Sequence, residues 1–348
     1  MSLLQGTPIQ YAGKQAMDYV VKPSVAYGKL EDFFKVIFGV KVKQQVIYIH
    51  PLNKITIADP GCGLGIQDKQ INRTEKFWNP ENVKAWYSQC WVDLKGTIHE
   101  EQLKSGNDKP DITDTVIEEY LLDALQGAAG RDLMRMVFLS RMNITAADLT
   151  GGADEVKNYN QFNGIWKRLK DGVAASTIKS FTIAKNAGAN AAAQELAAGD
   201  GRKILAGLWK AQAKVMKQVP KRDKVFMVTR SIYENLEDEL EANPQLESST
   251  LRMLEGSENL SYRGINILIM DAVDEAIEAD FLISGKYTEP HRAILTVKDN
   301  LQVALDVDTS DPTVFDAWYE RKDEKWYAKL LYKIDTQVGE EQYVAVAF

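Results

Sequence analysis

The stretch that decides the fold is KVFMVTRSIYENLEDEL (224 to 240), followed in order by NLSYRGINILIM (259 to 270), HRAILTVKDNLQVALDVD (291 to 308) and FDAWYERKDEKWYAKLLYKIDTQVGEEQYVAVAF (315 to 348). The first piece is a β-prone run feeding a helix, which Ser231-x-x-Glu234 is placed to open as a capping box. The second is a Gly-led apolar strand, and the third is a strand pair turning through Lys298-Asp299-Asn300. The fourth is an aromatic hairpin, with Trp318 and Tyr319 before ERKDEK and Trp326 and Tyr327 after it. Aromatic residues favour strands and the charged turn protects the edge, so YVAVAF is expected to pair within that same sheet.

Upstream of this block, Asp200 is placed to cap a helix carrying Ile204, Leu208, Ala211, Val215 and Val219, which Pro220 terminates. Thr115-Val116-Ile117-Glu118 is a second capping-box signature, opening a longer pattern on Ile117, Leu121, Leu125 and Ala128. Unbroken to Arg141, that helix spans on the order of 40 Å. Gly127 and Gly130 inside it imply either close backbone packing or a kink. Residues 143 to 200 are looser, and the tract AKNAGANAAAQELAAG reads as a weak helix or a mobile loop.

Nearer the N-terminus, VKVKQQVIYIH (40 to 50) alternates with period two and then turns apolar, as a strand does. QDKQINRTEKFWNPENVKAWYSQCWVDL (67 to 94) reads as two strands around a turn that Pro80 presets. A lone two-stranded ribbon is marginal in water, so this one either packs within its own core or reaches over a neighbouring subunit. Its aromatics Trp78, Trp86, Tyr87 and Trp91 are candidate interface anchors on the second reading and core residues on the first. Residues 1 to 28, with Gly6, Pro8, Gly13, Pro23 and Gly28, are expected as an extended arm whose order depends on neighbours.

Composition excludes several functions. At 348 residues the chain exceeds one compact core, which implies two domains or one with long excursions. Forty-two Lys plus Arg against 49 Asp plus Glu give a formal charge of -7, which argues against a dense basic nucleic-acid grip. No apolar run reaches the roughly 20 residues of a membrane span, and MSLLQGTPIQYAGKQ lacks a secretory pattern, so synthesis in the cytoplasm is expected. Cys62 and Cys90 are expected as free thiols.

Chemistry-bearing motifs are few. The loop ITIADPGCGLGIQ (55 to 67) resembles the S-adenosylmethionine loop of methyltransferases, in which glycines let backbone approach the cofactor. The required helix and acid-tipped next strand do not follow, so a sharp glycine-rich reversal is the plainer reading. His50, His99 and His291 lie in separate segments without cysteines at ligand spacing, and no nucleophile elbow or phosphate loop is present. Gly199-Asp200-Gly201 is explained by helix capping, and Glu100, Glu101 and the acids of 234 to 241 by solvated charge. No catalytic, cofactor-binding or metal-ligating residue is assigned, and an enzyme is not expected.

The ordered elements, FMVTRSIYENL and SYRGINILIM above all, resemble the major capsid proteins of tailed bacteriophages, the Hong Kong 97-type shell fold. That resemblance implies an α+β chain with an N-terminal arm and first strands at 1–66, an extended hairpin loop at 67–94, and a peripheral domain of 95–170 plus 312–348. It also implies a spine helix at 114–141 and an axial α/β domain at 171–311. Here the arm begins almost at once, without the long internal scaffold of some members, so scaffolding would come from another chain or a segment already removed. The Lys to Asn cross-link of some members is not assigned.

The function so implied is self-assembly through pentamers and hexamers into an icosahedral phage or prophage shell enclosing double-stranded DNA without sequence-specific contact. Partners would be copies of the chain, with a portal, a scaffold or a maturation protease, and no membrane; the protein would reside in the virion after synthesis in the bacterial cytoplasm. The alternatives are a methyltransferase using Asp59 to Gly65 and an encapsulin-like nanocompartment shell.

Overall fold

The computed structural model describes residues 9–11, 29–49, 58, 73–94, 103–242, 251–253, 260–306 and 315–348. The glycine-rich loop at 55–67, apart from Ala58, and Cys62, His50, His99, Glu100 and Glu101 therefore lie outside the described residues, as does nearly all of the expected arm. Two sheets organise the rest, giving a mixed α+β architecture.

In the first sheet β1 (Ile9–Tyr11), β15 (Phe315–Glu320), β16 (Lys325–Val338), β14 (Leu301–Leu305) and β2 (Lys35–Ile37) lie in that order. Strand β5 (Glu81–Cys90) runs along the opposite side of β16. The second sheet is ordered β6 (Lys179–Phe181), β17 (Val344–Ala347), β13 (Ala293–Val297), β7 (Lys224–Val228), β10 (Ile265–Ile269), β9 (Leu260–Tyr262) and β8 (Leu251–Met253). Two ribbons complete the strands: β3 (Gln44–Ile49) with β4 (Arg73–Trp78), and β11 (Leu282–Ile283) with β12 (Lys286–Tyr287).

Strand β7 is buried along its whole length, as the run KVFMV requires, because both of its faces are covered. Phe226 and Val228 enter one core with Ala293, Leu295, Ala345 and Ala347, beneath α4 (Asp200–Ala211) and α6 (Arg230–Ala242). Val225 and Met227 face the other core with Ile294, Val344 and Val346. That larger core also takes in α2 (Val116–Leu139), α3 (Ile165–Ala174), α7 (Asp271–Asp280) and the inner face of the first sheet.

Helix α2 continues through Gly127 and Gly130 for 24 residues, about 36 Å. Thr115 is its N-cap, but the expected capping box does not close. Glu118 instead accepts from Asp114 N–H at 2.7 Å and from the indole N–H of buried Trp326 at 3.0 Å, which pins the start of the helix to the first sheet. Ser231 likewise lies within α6 rather than capping it, and its hydroxyl turns to His291. The helix expected from Asp200 to Val219 breaks at Gln212, whose side chain bridges Trp209 O and the Lys224 ammonium; α5 (Lys214–Gln218) follows. The alanine tract forms short turns around buried Asn186 and Gln194, which bond His291 and Tyr287.

Three expected pairings are replaced by others. Strands β4 and β5 flank Asn79-Pro80 but pair with β3 and β16, not with each other. A two-residue type I′ hairpin turn needs positive φ at both central positions, and proline is locked near -65°. The chain instead steps from ribbon to sheet, with Asn79 N–H donating to Asp335 Oδ2 at 2.8 Å. Strands β13 and β14 do not pair either, because β7 and β17 already occupy both edges of β13. The terminal hairpin ends at Val338, and β17 crosses into the second sheet. Residues 301–305 therefore belong to the first sheet and 344–347 to the second.

The two crossings meet at Asn300. Its backbone carbonyl accepts from Gly339 N–H at 2.8 Å, its side-chain Oδ1 accepts from Glu340 N–H at 2.8 Å, and its Nδ2 donates to Glu340 O at 3.1 Å. A Cβ on Gly339 would stand 2.9 Å from Asn300 Oδ1 and 3.2 Å from its carbonyl oxygen, so glycine admits the contact. At the far end of the second sheet, Arg230 N–H donates to Asp274 Oδ2 at 2.8 Å while the Arg230 guanidinium pairs with Asp271. Burial, with the Asp271 carboxylate beside it, pushes Asp274 up to about 7 despite that N–H bond.

Asn300→Ala removes both side-chain bonds to Glu340 and is expected to cost about 2 kcal/mol, lowering the urea midpoint with unchanged far-UV dichroism. An unchanged midpoint would remove the clamp from the account. For Asp274, a raised native pKa means stability is full below the unfolded value near 4 and falls as pH rises towards about 7. Asp274→Asn should therefore flatten the stability profile across that window and raise Tm at pH 8 more than at pH 5. A parallel shift at both pH values would contradict it.

Candidate functional site

The β3–β4 ribbon is an element with large apolar side chains left exposed among the described residues. Its inward side is tied down: Trp78 is only 2% exposed, packing with Val40 and Ala304. Lys76 donates to Val338 O at 2.8 Å and pairs with Glu341 at 3.1 Å, and the Tyr48 hydroxyl meets Gln302 at 3.2 Å. Burial pushes the Glu341 carboxyl up, but its bonds with Thr177 and Lys76 outweigh that and hold it below its ordinary range. Asp335, which takes the Asn79 N–H, is itself paired with Arg168 at 2.7 Å.

The outward side mixes apolar and polar groups, with Ile47 and Phe77 set beside Gln45 and the Arg73–Glu75 ion pair at 3.2 Å. Ile47 and Phe77 are each 47% exposed, on opposite strands of the ribbon, and Val42 just before it is 64% exposed. Lys43 covers part of the Phe77 ring at 4.9 Å. Fully burying a side chain of this size contributes roughly 1.5–3 kcal/mol, of which about half is unrealised at Ile47 and Phe77.

A second uncovered face lies on the first sheet. Trp86, 49% exposed, stands edge-on to Trp318 and Tyr327, which stack on each other at 5.6 Å, with the Lys84 ammonium over Trp86 at 4.8 Å. Leu331 extends this face. Of the four aromatics singled out in the sequence, Trp86 is therefore exposed, Trp78 is core, and Tyr87 and Trp91 are half-buried, Tyr87 edge-on to Trp326. Ile47 and Leu331 were missed. Their signal is that VIYI and KLLY carry apolar residues in both phases of the strand period, which requires cover on both faces.

The fold also brings together Ser231 and His291, which the sequence separates by 60 residues. The ring Nε2 lies 2.7 Å from the Gln194 carbonyl and so carries the proton, leaving Nδ1 to accept from the Ser231 hydroxyl at 2.7 Å. Burial lowers the His291 pKa, and the neutral ring ties three segments together. Among the described residues no group of His, Cys, Asp and Glu is arranged to hold a metal, Cys90 is a free thiol, and no helix is long and apolar enough to cross a membrane.

The sequence matches no protein-family model and no curated protein. The structure is similar to a chain of the satellite phage P4 procapsid including size determination (Sid) protein, at 11% identity over 90% of this chain and 84% of that one, with a TM-score of 0.53. It is similar to the capsid of Cyanophage P-SCSP1u at 12% identity over 100% and 90% of the two chains, TM-score 0.50. The capsid of Myoviridae Phage XM1 is similar at 10% identity over 89% and 86%, TM-score 0.50. At such identities the likeness is one of fold, and the fold is that of phage capsid proteins.

Proposed function

We propose that this chain is the major capsid protein of a tailed phage or prophage, a structural subunit that assembles through pentamers and hexamers into an icosahedral shell around double-stranded DNA. The observation that carries the reading is the capsid fold shared over 90% of the chain with the P4 procapsid subunit. The uncovered apolar faces support it, because a subunit that forgoes burial at Ile47, Phe77 and Trp86 recovers it when copies cover one another.

On this reading the first sheet with α2 forms the peripheral domain of a Hong Kong 97-type subunit, α2 is its spine, and the second sheet with α4 and α6 is the axial domain. The β3–β4 ribbon is then the candidate for the extended loop expected at 67–94, with which it shares Arg73–Trp78. The role is non-catalytic, and a portal, a scaffold or a maturation protease would act on the shell during its construction in the host cytoplasm.

Light scattering and negative-stain microscopy of the purified chain across salt and crowding conditions should reveal five- and sixfold rings or closed shells. The double variant Ile47→Lys with Phe77→Glu should stay folded and need roughly tenfold more protein to assemble, the loss of about 1.4 kcal/mol per contact. A chain that stays monomeric under every condition would sink the shell reading. Equal assembly by the double variant would remove the ribbon from the contact.

A further inference from the structure

The formal charge of -7 conceals a local reversal. Between residues 210 and 224 stand Lys210, Lys214, Lys217, Lys221, Arg222 and Lys224, against Asp223 as the one acid. The fold converges three segments there, because β7 and β10 are parallel neighbours with Val225 opposite Asn266. The start of β7, the β9–β10 turn and the end of α4 therefore meet around one indole. Lys221, Lys224 and Arg263 stand 5.8, 5.2 and 5.5 Å from the centre of the Trp209 ring.

Apart from Arg222, none of these cations forms an ion pair among the described residues. Lys224 is 2% exposed, and its ammonium, a three-proton donor, bonds the neutral amide oxygen of Gln212 at 2.9 Å. Burial, with Lys221 next to it, lowers its pKa. The buried Arg263 Nε has no hydrogen-bond partner among the described residues. That arginine sits in the β9–β10 turn at φ +55°, a conformation disfavoured for a side chain with a Cβ. Asp223 lies beside Arg222 at 3.6 Å, and among the described residues Lys210, Lys214, Lys217 and Lys221 have no carboxylate within ion-pair distance. Like charges gathered on a neutral ring repel one another, and an external anion relieves that cost.

We propose that the Trp209 cluster, continued by Lys214 and Lys217 on α5, binds the phosphodiester backbone of nucleic acid without reading its sequence. Exposed lysines three residues apart on a helix lie about 5–6 Å from each other, a row of point charges suited to successive phosphates. An acidic peptide surface, such as α6 of a second copy, would satisfy charge alone, whereas a phosphate chain also suits exposed lysines repeated along the segment from Lys214 to Lys221. The proposal rests on the shell reading only for the source of the nucleic acid, since binding is read on the unassembled chain.

The test is fluorescence anisotropy of a labelled mixed-sequence DNA duplex with the full chain over a salt series, with light scattering on the same samples. Binding should weaken with salt, and the triple variant Lys214→Glu, Lys217→Glu, Lys221→Glu should bind at least about 100-fold more weakly with a log–log salt slope shallower by about 3. The arginine versions of the three lysines should restore binding, Arg263→Gln should weaken it separately, and Lys157→Glu elsewhere on the surface should leave it unchanged. Absence of DNA binding at low salt, or equal binding by the triple variant, overturns the site. Loss of self-association with DNA binding intact would make the cluster a copy–copy contact and also overturn it. Wild-type assembly in the scattering arm judges the shell reading independently.

Discussion

The chain passes between the two sheets from β13 to β14 and again from β16 to β17, and Asn300 holds those two passages together. Its main chain and its carboxamide together bond both residues that open the return crossing, Gly339 and Glu340. Polar backbone at a buried corner needs partners, since an unpaired N–H or C=O there costs about as much as a lost hydrogen bond. A side chain with one acceptor and one donor supplies both in a single plane. The strand partners follow: β13 beside β17 in one sheet, β14 beside β16 in the other.

That corner also sets where the ribbon stands. Strand β16 runs from the aromatic hairpin to Val338, and the contacts of Asn79, Phe77 O and Lys76 fall on Asp335, Gln337, Val338 and Glu341 at its end. The ribbon base is thus fixed through hydrogen bonds and one buried indole, while its outer flank presents Ile47 and Phe77 to whatever covers it. A polar base confers direction and an apolar flank confers affinity. On the proposed shell reading, a flank of modest area keeps individual contacts reversible while many accumulate in a closed shell.

Most elements were legible in the sequence, because each rests on local chemistry. KVFMV is a buried strand by composition, Thr115 precedes α2, and Trp318 and Tyr319 pair with Tyr327 and Trp326 across a charged turn as the hairpin required. What was not legible is which strand lies beside which. Nothing in Lys298-Asp299-Asn300 says that both edges of β13 are taken by β7 and by β17 some 50 residues on, and nothing local assigns β5 to β16 rather than to β4. The capping boxes failed for the same reason, since Glu118 and Ser231 found partners more than 50 residues away in Trp326 and His291. At the candidate surface, aromatic identity suggested Trp78 and Trp86 equally, and only the direction of each strand face separates the core residue from the exposed one.

Charge shows the same dependence on placement. Acids are dense on α6 and α7, where Glu234, Glu237, Asp238 and Glu241 recur at helical spacing and Asp271, Asp274, Glu275 and Glu278 lie on the other helix. The bases at 210–224 collect at the opposite end of β7 from the N-termini of those helices. On the proposed shell reading, the acids of α6 and α7 are candidates to steer a neighbouring copy. The cations left over at Trp209 are then available to an anion that is not the subunit itself. Both attractions weaken as salt screens them beyond about 10 Å at 0.1 M, whereas burial of Ile47 and Phe77 does not. Ionic strength therefore separates what charge steers from what apolar cover holds.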